Sequence, residues 1–207
     1  MEDVLDLYAE PYDAQRPVVS FDERPLQLIG ETRTPLPAAP GRRQRFDFEY
    51  RRNGTGNVFA VLQPLAGWRH MEVTEHRTAV DFAQPMQRLV DEQFPEATVI
   101  RVVLDNLNTH TKASLYAAFP PAEARRLAKR LAFHYTPKHA SWLNRVECEL
   151  SVLNGQCLNR RLPDLETVRT EIHAWQTARN AYGATVNWHF TTAQARRKLR
   201  RLYPNPA

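Results

Sequence analysis

Val99-Ile100-Arg101-Val102-Val103-Leu104-Asp105 is the stretch on which the fold turns. It is apolar on both faces except at Arg101, the composition of a central strand covered by helices on either side. It also ends on a carboxylate. A second β-branched run, Val18-Val19-Ser20-Phe21-Asp22, ends the same way. The last residue of a buried strand can emerge at the sheet's edge while its neighbours stay covered. A third acid, Glu147, follows Ala140-Ser141-Trp142-Leu143-Asn144-Arg145-Val146. Three carboxylates drawn from distant parts of a chain are what two divalent cations need. Two such ions about 4 Å apart can activate a water and stabilise the leaving oxygen in phosphodiester chemistry. Each acid alone also has a structural reading, because an Asp at a strand's end forms turns and partners helix caps.

Working outward, Val4 to Tyr8 could make a turn and a half of helix before Pro11 and Pro17 force extended chain. Four prolines between Arg24 and Gly41 suggest an irregular loop. Arg45 to Tyr50 alternates, Asn53-Gly54 offers a turn, and Val58 to Leu62 returns, which predicts a hairpin. Trp68 to Thr74 alternates again. Thr78 suits the N-cap of a helix of about four turns ended by Pro95. After the Val99 strand come short helices at Ala113–Phe119 and from Pro121, a strand at Leu131–Tyr135, and helices at Trp142–Leu158, Leu165–Tyr182 and Thr192–Leu202. Strands first, then strands alternating with helices, then helices alone describe a mixed α/β sheet.

The bulk numbers bound the function more than they name it. A chain of 207 residues can bury a full core, and 43% hydrophobic with 25% charged residues is ordinary for a globular protein. A net charge of +5 leans toward a polyanionic partner. Cys148 and Cys157 match no zinc spacing and no disulfide framework, which fits a reducing compartment. No stretch approaches the length and apolarity of a transmembrane helix. There is no phosphate-binding glycine loop and no nucleophile elbow, and His134 and His139 are off helical register for a metal pair.

In the Trp142–Leu158 helix, Leu143, Val146, Leu150, Leu153 and Cys157 form one stripe that should face the sheet. At 100° per residue, Glu147 falls about 80° to one side of that stripe and Glu149 about 80° to the other. Periodicity permits either to reach inward. The flanking residues say more. Asp105-Asn106-Leu107-Asn108-Thr109-His110, the run Tyr135-Thr136-Pro137-Lys138-His139-Ala140-Ser141-Trp142-Leu143-Asn144 before Glu147, and Ser20-Phe21-Asp22-Glu23 resemble the DDE endonuclease domain of bacterial insertion-sequence transposases of the mariner-like superfamily. Arg51-Arg52-Asn53-Gly54-Thr55 and Gln156-Cys157-Leu158 extend the resemblance over about Val18 to Leu202.

The resemblance implies an RNase H-like fold, a mixed five-stranded sheet (an antiparallel meander, then parallel strands) flanked by helices. It assigns Asp22, Asp105 and Glu147 as the catalytic, metal-binding acids and leaves Glu149 outside the set. It implies Mg²⁺, with Mn²⁺ as a substitute, two ions per site, and a cut-and-paste reaction of DNA cleavage and strand transfer. The partners implied are double-stranded DNA, as transposon ends and a target at the dinucleotide TA, and a second copy or a full-length transposase. A bacterial, cytoplasmic and nucleoid-associated setting follows from it. The 41 residues between Asp105 and Glu147 exceed the mariner spacing but suit the bacterial relatives, the extra length falling in Pro120–Arg130.

Around the acids, Asn106, Asn108 and His110 are candidates for supporting the ligands or touching the scissile phosphate, against a role in shaping a turn. Lys138 and His139 are candidates for DNA contact, and Asn144 joins them; Trp142 is expected to bury against the sheet. Glu23 alternates to the other side of the chain and reads as a structural ion pair. Arg42-Arg43, Arg51-Arg52, Arg125-Arg126 with Lys129-Arg130, Arg160-Arg161, and Arg196 to Arg201 are basic clusters, some of which should follow a duplex. In domain terms, residues 1–17 are expected to be a linker remnant and 18–207 the endonuclease domain. The helix-turn-helix pair that precedes it in the family has no counterpart in this sequence. The alternative function is therefore that of a truncated transposase, inactive alone, that binds DNA or regulates a full-length partner.

Overall fold

The computed structural model describes residues 1–203. One sheet of five strands organises them, in the order β3-β2-β1-β4-β5. These are β1 (Val18–Glu31), β2 (Tyr50–Gln63), β3 (Trp68–Thr74), β4 (Ile100–Leu104) and β5 (Leu131–Tyr135). β1, β2 and β3 are joined antiparallel, whereas β4 pairs parallel with β1 and β5 parallel with β4. The expected mixed sheet of a meander followed by parallel strands is present.

Alternation along the strands sorts side chains into two cores. Val19, Phe21, Phe59, Val61, Ile100, Val102 and Leu104 face α2 (Ala79–Arg88), α3 (Ala113–Ala118) and α4 (Pro121–Arg130). Val58, Ala60 and Leu62 face α5 (Val146–Leu153) and α6 (Leu165–Tyr182). Each buried aliphatic or aromatic side chain contributes about 1.5–3 kcal/mol. A third, smaller cluster joins Val103 and Leu143 to Val4, Leu5, Leu7 and Tyr8 of α1 (Glu2–Ala9) and to Ala195 of α7 (Thr192–Lys198). The segment before Pro17, expected to be a linker, thus carries a helix packed into the domain.

Three local expectations need correction. The hairpin turn is not at Asn53-Gly54. β1 and β2 pair from Ser20↔Leu62 to Glu31↔Tyr50, and the chain reverses beyond them, where the Ala39↔Arg42 bridge closes around Pro40-Gly41 with Gly41 at φ 75°. Asn53 and Gly54 together sit opposite the single residue Leu28, so the turn dipeptide makes a β-bulge instead. Asn53 is held there by donating to Pro163 O at 2.8 Å.

The supposed loop after Arg24 is strand as far as Glu31. Pro25 is tolerated because β1 has left β4 by that point, and a proline without an N–H does no harm on an unpaired side. The third correction concerns the helix expected from Trp142, which begins at Val146. A 3₁₀ turn at Ser141–Leu143 and an extended Asn144 (φ −80°, ψ 109°) come first. The predicted stripe is nevertheless buried throughout, from Leu143 to Cys157.

Candidate active site

Register brings the two aspartates together. The parallel pairing of β1 with β4 runs Val18↔Arg101, Val19↔Val102, Ser20↔Val103. Two residues further on, the same register sets Asp22 opposite Asp105. Phe21 and Leu104 point into the α2–α4 core, so alternation turns both acids to the other face, the one covered by α5. Asp22 does not end its strand, as the sequence suggested; it lies where β1 parts from β4.

α5 carries both glutamates, and the structure separates them. Glu149 is buried, 2.8 Å from the Arg69 guanidinium and hydrogen-bonded by Arg179. Arg69 is itself fully buried, so this carboxylate is committed to an internal ion pair. Glu147 is exposed on the side of α5 toward Asp22. Its charge is felt there: burial, then the negative charge of Glu147, push Asp22 up to about 7, with Glu23 and Asp105 adding to the effect. The Arg69–Glu149–Arg179 cluster was not legible in the sequence, because β3 and α6 meet only in the fold.

Asp22 is held from two sides. The Glu23 N–H donates to its Oδ1 at 2.8 Å, and Asn144 Nδ2 donates to its Oδ2 at 3.2 Å. Asn144 also donates to Phe21 O at 2.8 Å, which the extended backbone between the 3₁₀ turn and α5 makes possible. That turn is tied down by Tyr8, whose hydroxyl donates to Leu143 O at 2.9 Å, while the Arg145 guanidinium lies 3.7 Å above the Tyr8 ring. Tyr8 gave no signal of this role in the sequence.

Asp105 accepts the Leu107 N–H at 3.1 Å and pairs with His110 Nδ1 at 2.6 Å, both on Oδ1. It therefore shapes its own turn, and α3 has no side-chain cap, so capping does not explain the polar residues of this loop. The bond from His110 holds the Asp105 carboxyl below its ordinary value. Burial by itself would discharge the His110 ring, but its pairing with Asp105 and Glu23 outweighs that and lifts it to about 9. Asn106 and Asn108 are exposed at the mouth.

Asp105 lines a groove of about 560 Å³ together with Asn106, Leu107, Tyr135, Thr136, Pro137, Lys138 and His139. His139 adopts a left-handed backbone (φ 62°) that tightens the turn into the 3₁₀ segment. A second groove of about 290 Å³, lined by Glu23, Arg24, Pro25, Glu147, Leu150, Ser151 and Asn154, opens beside Glu147. Trp142, expected to be buried, is 44% exposed and stacks on Trp188. Among the basic clusters, Arg126, Arg160, Arg161 and Arg196 are engaged by acids, whereas Arg42, Arg43 and Arg52 are exposed.

Among the described residues no three His, Cys, Asp or Glu side chains already converge as a metal-ligand cluster. The donor set still fits a hard divalent cation: Asp22 and Asp105 share one face of neighbouring strands, and burial with the charges of Glu147, Glu23 and Asp105 holds Asp22 above its normal pKa.

Comparisons with known proteins bear on the family and the fold. A family model described as DDE superfamily endonuclease matches residues 17–169. No curated protein sequence matches. The Mos1 transposase paired-end complex with the left transposon end is similar over 88% of this chain and 55% of its own, with a TM-score of 0.58 and 16% identity. The Mos1 mariner paired-end complex with Mn gives 0.59 at 16% identity, over 88% of this chain and 55% of that one. The corresponding complex with Mg gives 0.53 at 16%, over 88% and 54%. The chain therefore spans about half the length of these neighbours. The fold they share is RNase H-like.

Proposed function

The chain belongs to the DDE superfamily endonucleases, and from that footing we propose that it is a transposase catalytic domain. It cleaves DNA strands and joins the freed ends to a target, using divalent cations held by Asp22, Asp105 and Glu147. The observation that carries this reading is the convergence of Asp22 and Asp105 on one face of neighbouring parallel strands, with Glu147 near enough to raise the Asp22 pKa.

Each residue has a task in that reaction. Asn144 and the Glu23 N–H orient the Asp22 carboxylate, and His110 with the Leu107 N–H orient Asp105. Both bonds to Asp105 fall on Oδ1, which leaves Oδ2 to reach into the site. Bound to these carboxylates, Mg²⁺ or Mn²⁺ would supply an activated water or 3′-hydroxyl nucleophile and stabilisation of the departing 3′ oxygen. No covalent protein intermediate is needed, so no nucleophilic Ser, Tyr or Cys belongs to the site. Lys138 and His139 at the rim of the larger groove, and Arg42, Arg43 and Arg52 on the β1–β2 extension, meet DNA phosphates.

The finer reading follows the sequence resemblance: an insertion-sequence transposase of bacterial, cytoplasmic origin. It acts as a pair of copies on two transposon ends and inserts at TA. The mechanism is tested by nicking of supercoiled plasmid in Mg²⁺ or Mn²⁺. Nicking that stops with EDTA and is lost in Asp105→Ala supports it. Cleavage that survives either change contradicts it.

A further inference from the structure

Glu23 sits beside Asp22 in the sequence but on the opposite face of β1, where it meets His110. That imidazole is fully buried, set between Phe21 (ring centroids 5.4 Å apart) and Phe82 (4.9 Å). Its Nδ1 is 2.6 Å from Asp105 Oδ1, and its Nε2 is 2.9 Å from Glu23 Oε2, an ion pair too bent to be a linear hydrogen bond. The Glu23 side chain is only 5% exposed, and its other neighbour, Arg77, lies 3.8 Å away at the surface. Tyr135 closes the bridge from β5 by donating its hydroxyl to His110 O at 2.8 Å.

We infer that Glu23 and His110 are positioning residues for the metal site, a bridge through which the strand bearing Asp22 fixes the rotamer of Asp105. The inference rests on the proposed metal-binding role of Asp105. Asp105 lies at a loop, with its side chain 43% exposed, and two-fold rotation about its carboxyl bond is cheap for such a group. A ring clamped between two aromatic side chains and anchored at its far nitrogen removes that freedom. It directs one oxygen inward and presents the other to the cation. Partners that orient metal-binding side chains in this way change metal affinity by about 10–100-fold when removed.

Without Glu23 the ring can turn about its Cβ–Cγ bond, so Glu23 should matter to metal binding although it touches no metal. A direct ligand would behave differently. If Glu23 itself held a cation, its loss would weaken binding whether or not His110 were present.

The test is a double-mutant cycle on Mn²⁺ affinity, read by electron paramagnetic resonance of free Mn²⁺ at fixed pH, on Glu23→Gln, His110→Ala and the double variant. Folding of each is checked by cooperative thermal melting. The expected result is about a 10-fold weakening in Glu23→Gln, a larger loss in His110→Ala, and a double variant no weaker than His110→Ala. His110→Asn, whose amide nitrogen stands where the ring Nδ1 meets Asp105, should recover part of the loss. Unchanged affinity in Glu23→Gln, or additive losses in the double variant, would overturn the inference alone. Absence of Mn²⁺ binding in the wild-type chain, or binding unaffected by Asp105→Ala, would overturn the metal-site reading and this inference with it.

Discussion

Replacing Asp22 with asparagine separates catalytic from structural roles at one atom's cost. The Asp22 carboxyl is raised from 3.8 to about 7 by burial and by the charges of Glu147, Glu23 and Asp105. Its native form binds a proton more tightly than its unfolded form. Its contribution therefore favours the native state below pH 4 and is lost as pH rises from about 4 through 7. At about 1.4 kcal/mol per pH unit, ionised Asp22 destabilises the metal-free protein by up to about 4 kcal/mol above pH 7. The amide of the Asp22→Asn variant would carry no charge but would lose the bond from Asn144, at about 1 kcal/mol.

The variant should then be more stable than wild type by up to about 3 kcal/mol at pH 8 in EDTA. For a chain of this size that raises Tm by up to about 6–12 °C. Near pH 4 the advantage should disappear. Saturating Mn²⁺ should reverse it, because only the wild type gains from binding, by about 4.1 kcal/mol at about a thousand times Kd. Thermal melts followed by circular dichroism at pH 4.5 and 8, with EDTA or Mn²⁺, measure all four corners. A variant that melts below wild type at pH 8 in EDTA, or that Mn²⁺ stabilises equally, would refute the reasoning.

Other substitutions divide the site further. Glu147→Gln should abolish metal-dependent nicking and, by removing a charge that repels Asp22, leave the metal-free protein at least as stable as wild type at pH 8 in thermal melts. Glu149→Gln should do the reverse: it strands the buried Arg69 charge and costs about 3–5 kcal/mol in urea unfolding. Asn144→Ala removes donors from Phe21 O and Asp22; it should cost about 1–3 kcal/mol and weaken Mn²⁺ binding about 10-fold by titration calorimetry. Non-specific duplex binding should weaken linearly in log salt, and Arg42→Ala with Arg43→Ala should lower that slope by about 2, read by fluorescence anisotropy.

What the sequence disclosed and what it withheld have physical reasons. The Val99–Asp105 run is buried on both sides, so its composition alone marks a central strand. The stripe on α5 is likewise legible because period and burial coincide. Turn chemistry misled at Asn53-Gly54, where the pairing of two long strands absorbs the dipeptide as a bulge while Pro40-Gly41 makes the turn. The choice between Glu147 and Glu149 lay beyond periodicity because both flank the stripe equally. Arg69 and Arg179, which remove Glu149 from contention, come from elements 80 and 30 residues away. The Glu23–His110–Asp105 bridge was half visible: alternation set Glu23 apart from Asp22 and marked it as an ion-pair partner. Nothing local named His110 as that partner, since the contact spans a parallel strand pair.

The most direct test is the position of a metal. A crystal of the wild-type chain soaked in Mn²⁺, with anomalous diffraction recorded at the manganese edge, locates the ion without reference to activity. A metal-binding triad predicts a peak bound by carboxylate oxygens of Asp22 and Asp105, with Glu147 turned toward it, at ligand distances of about 2.1 Å. Manganese found away from these three side chains, or held by Glu149 or Glu23 instead, would contradict it.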